Sequence, residues 1–99
     1  MNNTEKAYAE ILEIKKNQGE IVRYKFEKLK FKLAEKTFFT PDFYVVYPGH
    51  IEIHEIKGGM IYDDAKAKFK IAADLFPEFV WKMWQLKNKT TGWQLILEM

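Results

Sequence analysis

The sequence predicts one α/β domain, a central mixed β-sheet flanked by helices in the order α-β-β-β-β-α-β-β. Three observations carry that expectation. Two segments repeat apolar residues at helical spacing, one near the N-terminus and one beyond residue 60. Six short runs rich in aromatic and β-branched residues read as strands. The 99 residues are too few for two cores, yet 47% are hydrophobic and 16% aromatic, enough to bury one. Residues 1–99 are therefore expected to form a single domain.

Thr4 to Asn17 form the first helix, with Ala7, Tyr8, Ile11, Leu12 and Ile14 on one face, Thr4 as N-cap and Gly19 as the stop. Ile21 to Phe26 and Leu29 to Leu33 alternate apolar and charged residues, as half-exposed antiparallel strands do. The weak turn between them also admits one long bent strand. Phe43 to Tyr47 is the third strand, Pro48-Gly49 a turn, and Ile51 to Ile56 the fourth, ended by Gly58-Gly59. Asp63 or Asp64 caps a second helix through Leu75 that buries Ala65, Phe69, Ala72, Ala73 and Phe76; Pro77 stops it. Phe79 to Leu86 is the fifth strand, Asn88 to Gly92 a polar turn, and Trp93 to Leu97 the sixth.

Composition narrows the function classes. The absence of cysteine excludes disulfides and thiolate zinc sites. No basic-then-apolar leader opens the chain and no apolar run approaches bilayer length, so a soluble, cytoplasmic protein with no membrane contact is expected. Net charge is only +2, but its distribution is uneven. Arg23, Lys25, Lys28, Lys30, Lys32 and Lys36 stand against Glu27 and Glu35, and Lys82, Lys87 and Lys89 form a second cluster. Basic surface of this kind suits a phosphate backbone; it also suits ordinary solvated strand faces.

Pro41-Asp42 and Glu55-Ile56-Lys57 hold the most chemistry. Strand alternation puts Ile51, Ile53, Glu55 and Lys57 on one face and Glu52, His54 and Ile56 on the other. If Ile51 and Ile53 face the core, Glu55 and Lys57 continue a buried stripe with charges. A hairpin through Pro48-Gly49 brings Asp42 beside them. Two carboxylates meeting at a sheet edge repel unless a cation separates them, and hard oxygen donors favour Mg²⁺, with Mn²⁺ as substitute. Lys57 is then placed to orient a water or to stabilise negative charge. The competing reading is a Glu-Lys cross-strand pair beside a turn aspartate.

Other residues admit two readings. His50 and His54 lie about 13 Å apart along a strand, too far to share a metal, and His54 is expected to face outward beside Glu52. Trp81, Trp84 and Trp93 suit a core or dimer interface more than stacking on unpaired bases. Lys66 and Lys70 fit either phosphate contact or a solvated helix face, and Gly58 and Gly59 either a close backbone approach or a plain loop.

The residues Pro41-Asp42 and Glu55-Ile56-Lys57 resemble the signature of the PD-(D/E)XK nuclease superfamily, and the order of elements is similar to its restriction-endonuclease-like core. The segments TPDFYVV, EIHEIKGG and DDAKAKFKIAADLFPEF resemble small phage-type nucleases, a likeness that covers residues 40–99. The resemblance implies a metal-dependent endodeoxyribonuclease in which Asp42 and Glu55 bind Mg²⁺ and Lys57 serves the hydrolytic water. Superfamily members often add a glutamate from the first helix; Glu5 is the candidate, with Glu10 the alternative. A compact core of this size resembles phage and archaeal Holliday-junction resolvases. That likeness implies a homodimer acting on branched DNA in the cytoplasm, the host's if the protein is phage-encoded. A nuclease of the same fold acting on other DNA, and a catalytically silent DNA-binding subunit, are the alternatives.

Overall fold

The computed structural model describes residues 1–88, 90 and 92–99; Lys89 of the second basic cluster and Thr91 of the polar turn lie outside the described residues. Helix α1 (Asn3–Asn17) is capped by Asn2 rather than Thr4. The Asn2 side chain accepts from the Glu5 N–H, and the Glu5 carboxylate accepts from the Asn2 N–H, both at 2.8 Å. Tyr8 and Leu12 are its buried residues, whereas Ile14 is 56% exposed. Two positions beyond Leu12, Ile14 sits about 200° round the helix and cannot share its face. Gly19 follows the helix at φ +79°, a conformation that favours glycine.

The main sheet has five strands in the order β1-β4-β5-β6-β7, formed by β1 (Arg23–Phe26), β4 (Phe43–Tyr47), β5 (His50–Lys57), β6 (Val80–Asn88) and β7 (Gly92–Glu98). The β5–β6 pair is parallel and the other pairs are antiparallel, so the sheet is mixed, as expected. Helix α2 (Asp63–Leu75) makes the crossover that parallel strands need. Its N-cap is Tyr62, without a side-chain bond. Asp63 and Asp64 fall instead in the first turn, where the helix dipole favours carboxylates.

Five strands, not four, precede α2. The expected Leu29–Leu33 strand is a separate hairpin, β2 (Phe31–Ala34) and β3 (Thr37–Phe39), outside the main sheet. Lys36 reverses the chain at φ +57° between them, with no glycine, proline or asparagine to signal the turn.

Helix α1 and the helix α2–hairpin layer cover opposite faces of the sheet. One core gathers Tyr8, Leu12, Phe43, Val45 and Ile56; the other gathers Phe31, Phe39, Ile53, Phe69 and Trp81. The central strand β5 is therefore buried on both faces from Glu52 to Ile56, which corrects the one-sided burial that alternation suggested. The two outer strands differ. Arg23 and Lys25 lie on β1, whereas β7 has no charge before Glu98 and leaves Leu95 38% exposed. Among the described residues, no helix is long and apolar enough to cross a membrane.

Candidate functional site

The Pro48-Gly49 turn sets the register of the central hairpin. Tyr47 pairs with His50 and Phe43 with His54, so Asp42 and Glu55 are the next neighbours. The Asp42 N–H donates to Glu55 Oε1 (3.1 Å), and the Ile56 N–H donates to Asp42 Oδ2 (2.8 Å). Lys57 Nζ lies 3.3 Å from Glu55 Oε2. The two acids and the lysine converge at the C-terminal end of β5.

Neither acid is comfortable there. Burial, then the facing Glu55 charge, pushes Asp42 up to about 8 despite the Ile56 N–H, and Glu5 adds to the push. Burial also raises Glu55, against the Lys57 ammonium and the Asp42 N–H. Two carboxylates in one desolvated site do not both ionise freely, so the pair retains a proton near neutral pH.

Glu5 is half-buried on the same side of α1 as Tyr8, and its charge reaches Asp42; Glu10 is exposed. A close contact brings the helix start to this end of the sheet. A Cβ added at Gly58 would sit 2.6 Å from Thr4 Oγ1, so only glycine lets α1 approach the residue after Lys57. Glu5 nevertheless spends its carboxylate on the Asn2 N–H. Among the described residues, no group of three or more His, Cys, Asp or Glu side chains is arranged to hold a metal, so the expected Asp42–Glu55–Glu5 trio is not assembled as a ligand set. Gln85, paired with Lys57 across β5–β6, donates to the Gly59 carbonyl and fastens the loop that follows Lys57.

A second polar group went unforeseen. His54 is 2% exposed, not outward-facing, because α1 covers its side of β5. Burial holds it below the ordinary histidine value, against the pull of Glu52, so the imidazole is neutral. Its Nε2–H donates to Glu52 Oε1 (2.8 Å) and its Nδ1 accepts from the Tyr8 hydroxyl (2.7 Å). His50 donates to the other Glu52 oxygen (2.8 Å), and Lys82 lies 3.0 Å from Glu52 Oε1 and 3.6 Å from Glu98. The two histidines thus share a carboxylate, and Lys82 is committed to ion pairs. Burial alone would raise Glu52; the His54, His50 and Lys82 donors outweigh it and hold Glu52 down at about 2. Trp81 is a core residue, with its Nε1–H bonded to the Phe76 carbonyl at 2.8 Å.

Compared with protein-family models, with curated proteins and with solved structures, the chain matches none.

Proposed function

We propose that the chain is a metal-dependent endodeoxyribonuclease of the PD-(D/E)XK kind, with a restriction-endonuclease-like core and branched DNA such as a four-way junction as substrate. One observation carries the reading: the buried Glu55 and half-buried Asp42 carboxylates are held side by side, Asp42 raised to about 8 in part by the Glu55 charge, beside the Lys57 ammonium at the end of the central strand. Such a pair is short of positive charge. A hard divalent cation supplies it, and the oxygen donors fit Mg²⁺, with Mn²⁺ as substitute. Asp42 and Glu55 would hold the ion; Glu5 would join only by releasing Asn2. A cation held by Asp42 and Glu55 would supply Lewis acidity toward phosphate and water. Lys57 orients the attacking water or offsets the negative charge that develops as oxygen bonds to phosphorus and the P–O bond to the leaving oxygen breaks. The resemblance adds a 5′-phosphate product, a homodimer and a cytoplasmic setting.

The test incubates pure protein with labelled four-way junction, flap and linear duplex, in Mg²⁺ and in EDTA, beside Asp42→Asn. Mg²⁺-dependent nicking, reduced at least about 10²-fold in the variant, is the expected result. Binding without cutting on every substrate identifies a silent DNA-binding subunit instead. Preference for fixed sequences in linear duplex removes junction resolution but keeps the nuclease.

A further inference from the structure

The β2–β3 hairpin leaves and re-enters the fold beside the acidic pair. The Glu27 N–H donates to the Asp42 carbonyl at 2.8 Å, so the two ends of the excursion meet at Asp42. Alternation divides its faces. Leu29, Phe31, Leu33 and Phe39 turn inward, where Phe31 packs on Phe76 and Trp81, while Lys28, Lys30, Lys32 and Phe38 are exposed. The inner face fastens the hairpin, and the outer face carries Lys28 and Lys30 on the approach to β2 and Lys32 within it, alternating with the inward residues. Lys30 Nζ lies 4.6 Å from the centre of the Phe38 ring, a contact that steadies the ammonium. Lys36 is exposed at the tip, and Lys32 is partly neutralised by Glu35 at 3.1 Å.

We propose that this outer face is a phosphate-binding arm, with Lys28, Lys30 and Lys36 following the backbone of one duplex arm of the substrate. The delivery of a phosphodiester to Asp42 and Glu55 rests on the nuclease reading above; the binding surface itself does not. Exposed ammonium groups on one face, with the acid Glu35 taken up by Lys32, suit a run of backbone phosphates, of which each strand of a duplex presents one about every 3.4 Å along its axis.

The experiment measures binding of a fluorescent four-way junction and a linear duplex by anisotropy, in EDTA so that nothing is cut, from about 50 to 200 mM salt. The parent chain is compared with a triple variant, Lys28→Gln with Lys30→Gln and Lys36→Gln, and with Lys16→Gln at the far end of α1. The triple variant is expected to bind about tenfold more weakly or worse, with a salt slope shallower by about 2 to 3; Lys16→Gln keeps the parental slope. Should the triple variant misfold, Lys28→Gln alone is expected to lose about 1 from the slope. A parental slope in the arm variants, or no DNA binding by the parent, overturns the arm. Mg²⁺-dependent cutting with a parental slope removes the arm and keeps the nuclease; a shallower slope in a protein that cuts nothing does the reverse.

Discussion

Asp42 carries an electrostatic conflict that pH and metal ions both expose. Its ordinary value is 3.8 and the fold raises it to about 8, so the folded state binds the proton more tightly than the unfolded chain. The resulting stability is fully present below the ordinary value and is lost as pH rises through about 8. Metal-free protein is therefore expected to lose on the order of 2 to 5 kcal/mol from this group across that window, read as melting temperature against pH in EDTA. Asp42→Asn should flatten that limb. Mg²⁺ favours the ionised pair, so it should raise the melting temperature more at pH 8 than at pH 5, and do so only with Asp42 intact. An identical Mg²⁺ response at both pH values would count against a cation at this site. Lys57→Ala, by contrast, is expected to act on rate, lowering cleavage by about 10²- to 10⁴-fold.

At the scale of elements, the fit of α1 onto the end of β5 hangs on Gly58. Gly58→Ala is expected to cost about 1 to 3 kcal/mol, because its Cβ would press on the Thr4 side chain. Thr4→Ala in the same chain removes the obstructing oxygen and should restore most of the loss; additive losses in chemical denaturation would refute the contact. Tyr8→Phe, which leaves His54 Nδ1 buried without its donor, is expected to cost about 1 to 3 kcal/mol. These elements also show what the sequence could and could not disclose. A two-residue turn at Pro48-Gly49, with alternation on either side, was enough to bring Asp42 to Glu55. Alternation could not place His54, because it assumes one wet face and β5 has none. It could not locate β3 either, since a turn made by Glu35 and Lys36 carries no residue that favours positive φ. Nor could helical spacing tell that Glu5 would cap its own helix.

Over the whole molecule, the acidic pair lies at the carboxyl end of the central strand, where open α/β sheets commonly place their sites. The Glu52–His54 group holds the sheet to α1 and answers to pH in the opposite sense. Both groups sit below their ordinary values, so the stability they contribute is present above those values and fades as acid is added. Metal-free protein should thus melt highest at an intermediate pH, and Mg²⁺ should lift only the alkaline side. The outer strands close the account of the fold. Strand β1 guards its margin with Arg23 and Lys25, but β7, the edge strand on the other side, carries no charge from Gly92 to Leu97. A margin of that kind is open to strand addition, and if the homodimer proposed above pairs there, two chains would share one ten-stranded ribbon. Light scattering should then register the mass of two chains, and Leu95→Lys, which plants a charge on the seam, should return single ones.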